Sequence, residues 1–141
     1  MDCTLTSITT ILNDGDPAAL YNKVESVAKK YLYRENRGTS FLFIKCIFDK
    51  VSGKKTSRGY LKNIGYNWSK IKKNIDAKNP MILSMSNDGR DYYKNHSVTI
   101  IGYSEYNEGN VKMLIVYDNW YRSISYIDYN KLSLISCINY L

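Results

Sequence analysis

The chain has 141 residues, 44% of them hydrophobic and 23% charged, with a formal net charge of +7 at pH 7. That length supports one domain with an ordinary buried core, and that balance excludes a disordered chain. Apolar stretches such as Met113 to Tyr117 are far too short to cross a bilayer. At the N-terminus, "DCTLTSITTIL" sets Leu5, Ile8, Ile11 and Leu12 at helical spacing, with Asp2 as N-cap, so a helix should begin near Cys3. "NDGDP" interrupts it, and Pro17 suits the first turn of a second helix whose stripe is Leu20, Val24, Val27, Ala28 and Tyr31. "TSFLFIKCIFDKV" reads as a third helix capped by Thr39 or Ser40, although its apolar density also fits a strand. "SGKKTSRGYLKNIGYNW" reads as loop, and a short helix follows from Trp68 to Ile75.

From Pro80 the period changes. "PMILSMS", "HSVTIIGY", "VKMLIVYD" and "SISYIDY" read as strands separated by polar turns, and "LSLISCINYL" as one more. Helices over 1–79 followed by an antiparallel sheet over 80–141 make one α+β domain, with N-terminal helices packed on a C-terminal sheet.

Charge raises nucleic acid as a partner. The densest basic run, "SKIKKNIDAKN", answers it: Ile71 and Ile75 share one helical face while Lys70, Lys72 and Lys73 lie mostly elsewhere. That is a solvated helix face, and nucleic acid is not expected. Asp2 stands where a signal peptide would be basic, and no small-residue cleavage site follows. The expectation is a cytoplasmic chain, or a mature fragment already freed of its targeting segment. Three cysteines, Cys3, Cys46 and Cys137, cannot all pair with one another, so at least one is free or bonded to another chain.

His96 is the only histidine, and it heads a strand. If "SEYNEGN" is the loop of a symmetric hairpin, His96 lies directly opposite Asp118, close enough for the carboxylate to fix the imidazole tautomer. A slip of one residue would bring Asn119 or Tyr117 there instead. The plain alternative is a surface His–Asp contact at a sheet end. Cys3 bears on the choice. A thiol in the first turn of a helix sits in the positive field of the helix N-terminus, which favours thiolate. Cys46 and Cys137, inside apolar runs, read as small residues filling space, a reading open to Cys3 too.

A nucleophilic cysteine near the start, with histidine and a carboxylate far downstream, serves acyl transfer. Four segments carry a resemblance to the C39-like papain-fold cysteine peptidases, relatives of the leader-processing peptidases of bacteriocin exporters. They are "DCTLTSITTIL", "WSKIKKNIDAKNPMILSM", "HSVTIIGY" and "VYDNW". The resemblance implies a papain-like fold, no cofactor, a peptide or protein substrate and a secreted or cell-envelope location. It implies Cys3 as nucleophile, His96 as general base then acid, and Asp118 as the residue orienting the imidazole. The backbone N–H of Cys3 would donate to the oxyanion.

The pattern departs from the family twice. Thr4 stands where the family usually has Gly, and no Gln precedes Cys3 to supply a second oxyanion donor. Three explanations follow: the chain is a piece of a longer protein, which is the expectation, or Asn95 substitutes, or the domain no longer cleaves. Asn119 is expected as a turn residue or as orienter in place of Asp118. Trp120 is expected as a lid over the His–Asp pair or as ordinary core. "SNDGRDYYKN", with Asn87, Asp88 and Asp91, reads as a turn that could line the substrate cleft. The alternatives to peptide hydrolysis are a peptide-binding module without turnover, and acyl transfer to an amine by the same three residues. Zinc is not expected, since no pair of cysteines has close ligand spacing. "SGKKTS" fails as a phosphate loop because Phe48 occupies the position of its first glycine.

Overall fold

The structure, a computed structural model, describes residues 2–60, 68–85, 93–133 and 135–141. Helix α1 (Cys3–Leu12) starts where the sequence places it, and Asp2 is its N-cap residue. The Asp2 side chain, however, makes no capping bond. Its carboxylate accepts the hydroxyl of Tyr33. Tyr33 is buried, and an unpaired buried hydroxyl costs more than an uncapped helix start open to water. Helix α2 (Pro17–Lys29) has Pro17 in its first turn, and Asp16 accepts from the N–H groups of Ala18 and Ala19 at 3.1 and 3.0 Å.

Helix α3 (Phe41–Ser52) resolves the helix-or-strand ambiguity of "FLFIKCIF". Ile44, Ile47, Phe48 and Val51 fall on its buried side, and Gly53 ends it with a left-handed φ of 68°. Cys46 lands on the other side and is exposed, so it does not fill space in a core.

The sheet contains six antiparallel strands in the order β1-β6-β2-β3-β4-β5. They are β1 (Ser57–Tyr60), β2 (Met81–Met85), β3 (His96–Tyr106), β4 (Val111–Tyr117), β5 (Ile124–Asp128) and β6 (Cys137–Tyr140). Strand β1 corrects the loop reading of "SGKKTSRGYLKNIGYNW", whose residues 61–67 lie outside the described residues. "SRGY" shows no apolar alternation and is half exposed at the sheet edge. Its strand state comes from pairing with β6, reinforced by Arg58 Nε donating to Asn139 Oδ1 at 3.0 Å and Arg58 Nη2 donating to the Phe41 carbonyl at 2.9 Å. Tertiary contact thus overrides a weak local preference.

Alternation along β2 divides the interior into two layers. Ile82 points into a core with Leu5, Ile8, Val24, Ala28, Ile47 and Phe48 of the first three helices. Met81, Leu83 and Met85 point into the other, with Val98, Ile100, Leu114 and Val116. Helix α4 (Trp68–Asp76) closes that second core with Trp68 and Ile71, and Ile75 packs against it. Lys70 and Lys73 are exposed, as on a solvated face, whereas Lys72 reaches back over β3, its Nζ 3.0 Å from Glu105 Oε1 and over the Tyr103 ring.

The β3–β4 hairpin differs from the symmetric register. Tyr106 pairs with Val111, so the loop is only Asn107 to Asn110, and Asn107, Glu108 and Gly109 all have positive φ. Three consecutive left-handed residues tighten the reversal and extend β3 to Tyr106. A bulge between Ile100 and Gly102 then shifts the register again, leaving Thr99 opposite Tyr117. His96 therefore has no cross-strand partner at Asp118: β4 ends at Tyr117, and Asp118 lies beyond it. At the bulge, a methyl group on Gly102 would meet Ile115 Cδ1 at 3.2 Å and Ile115 Cβ at 3.3 Å. Because Cβ cannot swing aside as a side-chain tip can, Gly102→Ala should destabilise by about 1 kcal/mol. Urea unfolding should show this as a lower midpoint with unchanged slope.

Candidate active site

Cys3 opens α1 and His96 opens β3, so the two side chains meet where the first helix crosses the end of the sheet. The contact is built on hydroxyls. Thr4 Oγ1 donates to Ser97 Oγ at 2.9 Å, and Ser97 Oγ also bonds Ser84 Oγ at 3.1 Å. The N–H of Ser97 donates to Cys3 Sγ at 3.4 Å. Thr4, Ser84 and Ser97 are buried; the sequence marked Thr4 only as a departure from the family and did not single out the two serines. Their signal was present: Thr4 and Ser7 interrupt the apolar side of the first helix, and buried hydroxyls need partners.

His96 is 2% exposed. Its Nε2 lies 2.6 Å from the backbone carbonyl of Asp118. A carbonyl can only accept, so Nε2 carries the hydrogen, and in the neutral ring Nδ1 carries the lone pair. Nδ1 is buried without a hydrogen-bond partner among the described residues. With Nε2 occupied, Nδ1 is the ring nitrogen left without a partner.

The Cys3 thiol is held below the usual thiol range. Burial opposes this, but the nearby His96 imidazole outweighs it, together with the N–H groups of Ser97 and Thr4. Cys137, on the same cleft, shows the contrast: there burial dominates and pushes the thiol up.

Asp118 reaches the imidazole by its main chain, while its carboxylate is committed elsewhere. Oδ1 accepts the N–H groups of Trp120 and Tyr121 at 3.0 and 3.1 Å, and Oδ2 accepts the hydroxyls of Ser125 and Tyr93 at 2.8 and 3.0 Å. Burial raises its pKa, but these four donors hold the carboxyl below its ordinary value. The expected His96–carboxylate pairing across the hairpin is absent; the two residues meet through the Asp118 carbonyl instead. They meet because the chain turns back after β4, a turn the carboxylate itself ties.

Asn119 has a left-handed backbone, φ 65°. Its Nδ2 lies 3.1 Å from the Cys3 carbonyl, 2.9 Å from Ser7 Oγ and 3.0 Å from the Ser97 carbonyl. It is a turn residue, and its amide bonds the helix that carries Cys3, not the imidazole, as an orienter would. Trp120 lies against His96 with ring centroids 4.2 Å apart and also meets Tyr93 at 5.0 Å. It is 50% exposed, so it covers the imidazole as a lid and is no part of the core. Asn95 is exposed with φ 49° and sits on the rim of the cleft.

The cleft in front of the thiol has a volume of about 700 Å³, and its walls include Met85, Phe41, Ile44 and Ile135 beside Cys3 and His96. Asn87, Asp88 and Asp91, expected to line it, lie outside the described residues. Among the described residues no three His, Cys, Asp or Glu side chains group as a metal site, and no helix is long and apolar enough to cross a membrane.

A helix-start thiol, facing an imidazole at the end of an antiparallel sheet, places the molecule in the papain-like α+β class. The family comparison then narrows it: the Peptidase_C39 like family matches residues 2–137, and the chain belongs to that family. Membership makes it a protein of the peptidase class of hydrolases. No curated protein matches the chain.

Proposed function

We propose that the protein is a cysteine peptidase in which Cys3 attacks a peptide carbonyl and His96 moves the protons. The observation that carries this reading is the tautomer of His96: the Asp118 carbonyl occupies Nε2–H, so the lone pair of Nδ1 is free to take the proton of Cys3. The thiolate sulfur bonds to the substrate carbonyl carbon, and the carbonyl oxygen becomes an oxyanion within reach of the N–H at the start of α1. As the intermediate collapses, the C–N bond breaks, and the departing amine takes the proton from Nδ1. Water then attacks the thioester, giving one proton back to Nδ1, and that proton returns to the sulfur when the acid leaves. Asp118 serves as orienter through its backbone carbonyl, and Trp120 keeps bulk water off the ring. The cleft wall formed by Phe41, Ile44 and Ile135 suits an extended peptide with an apolar side chain near the scissile bond.

The test is thiol reactivity against pH. Native protein is treated with sub-stoichiometric iodoacetamide at a series of pH values, and the label is mapped by mass spectrometry. Cys3 should label fast well below pH 8, ahead of exposed Cys46 and buried Cys137, and His96→Ala should remove that advantage. Slow labelling of Cys3 in both proteins would leave a peptidase fold that binds peptides without cleaving them.

A further inference from the structure

Three chain segments must stay in register for the pair to work: the first turn of α1, the first residues of β3, and the turn after β4. One side chain bonds to the first two while belonging to the third. Asn119 Nδ2 is within hydrogen-bonding distance of the carbonyl of Cys3, the hydroxyl of Ser7 and the carbonyl of Ser97. The two carbonyls only accept, so the amide must present its NH₂ group here, whichever way Ser7 turns its proton. Ser97 adjoins His96 in the chain, so the bond to its carbonyl holds the strand that carries the imidazole. The bond to the Cys3 carbonyl holds the residue that carries the sulfur.

The peptide unit joining Asp118 to Asn119 adds a second link. Its carbonyl is the acceptor for His96 Nε2. The same unit that orients the ring is therefore anchored, through the Asn119 side chain, to the nucleophile. The anchor needs a left-handed residue with a short donor side chain. Asn tolerates φ 65° better than other residues except Gly, and it alone of these two brings the amide.

We propose that Asn119 is a positioning residue that fixes the separation of the Cys3 sulfur and the His96 ring, acting on both through backbone carbonyls and touching neither reacting atom. The proposal rests on the cysteine-peptidase reading of the same site and names the device that keeps its two reacting groups in place. Neighbouring charges do not duplicate this function. Asp2, next to Cys3, directs its carboxylate to Tyr33, and the Asp118 carboxylate is turned to its own loop, Ser125 and Tyr93.

The test separates the amide from the backbone. Asn119→Gly keeps the left-handed turn without strain and removes the donor. Asn119→Asp keeps size and turn but sets a carboxylate against two carbonyls. Ser7→Ala removes one of the three acceptors and should leave the fold intact even if the others do not. Each variant is checked by far-ultraviolet circular dichroism, then labelled at Cys3 with iodoacetamide across pH. The expected result is that the pH midpoint of Cys3 labelling rises by about one unit or more in Asn119→Gly and Asn119→Asp, and less in Ser7→Ala. Cleavage of a pool of synthetic peptides should fall about 10²-fold in kcat for Asn119→Gly, with KM little changed, as expected when reacting atoms drift by about 1 Å. A low wild-type midpoint that folded Asn119→Gly and Ser7→Ala both leave in place would overturn the anchor and leave the peptidase reading standing. A midpoint that climbs in the variants, with no peptide cleaved by the wild type, would uphold the anchor and sink the peptidase reading.

Discussion

Asp118→Ala is expected to lower stability by about 3 kcal/mol, because it strands four donors that now converge on one buried carboxylate. For a chain of this length the loss corresponds to about 10 °C in melting temperature, readable by calorimetry. Asp118→Asn should cost only about 1 kcal/mol: its oxygen can still accept from Trp120 and Tyr121, and the hydroxyls of Ser125 and Tyr93 can turn to accept from its amide. The pH dependence has a definite sign. The native carboxyl is held below its unfolded value, so its stabilisation is complete above the unfolded pKa near 4 and is lost as pH falls through the lower native value. The stability gap between wild type and Asp118→Asn should accordingly close below about pH 4. Catalysis should suffer less than in a triad whose carboxylate touches the ring, since a backbone carbonyl survives in both variants. A variant as stable as wild type but inactive would show that the carboxylate reaches the imidazole after all.

The second large effect falls on chemistry. Cys3→Ala and His96→Ala should each lower peptide cleavage by about 10⁴- to 10⁶-fold, and the double variant should be no worse than either. The two groups act as one unit, so removing either removes the unit. Cys3→Ala should cost little stability, since Cys3 is only half-buried. His96→Ala opens space beneath Trp120 and Tyr93 and should be checked for folding by near-ultraviolet circular dichroism. Independent, additive losses would mean that the imidazole is not the base for this thiol.

The ease with which the sequence could be read varied along the chain for physical reasons. Three of the helices announced themselves by period and punctuation, with Pro17 in a first turn and Ile71 and Ile75 one turn apart, whereas the apolar run of α3 fitted a strand as well. Strands β2 to β5 alternate or run apolar, so their existence followed from burial on one or both faces. Strand β1 carries no such pattern, and only its pairing with β6 and the reach of Arg58 make it a strand. The hairpin register failed because it depended on a loop count. Three positive-φ residues and a bulge moved the pairing, and none of the three leaves an apolar signature.

At the site, residue type and position were legible. One histidine at a strand head, one thiol at a helix start and the run Asp-Asn-Trp after an apolar strand could be chosen from the chain alone. Their chemistry follows from what they are: a soft nucleophile, a base with two distinguishable nitrogens, a polar turn. Tertiary structure alone decided which atoms meet. It gave His96 the carbonyl of Asp118 in place of its carboxylate, spent that carboxylate on Trp120, Tyr121, Ser125 and Tyr93, and set the Asn119 amide between helix and sheet. Such assignments depend on angstrom-scale distances between segments from about twenty residues apart in the chain, as with His96 and Asp118, to more than ninety, as with Cys3 and Ser97. Local propensity carries no information at that range, whereas packing of α1 against the end of the sheet sets it directly.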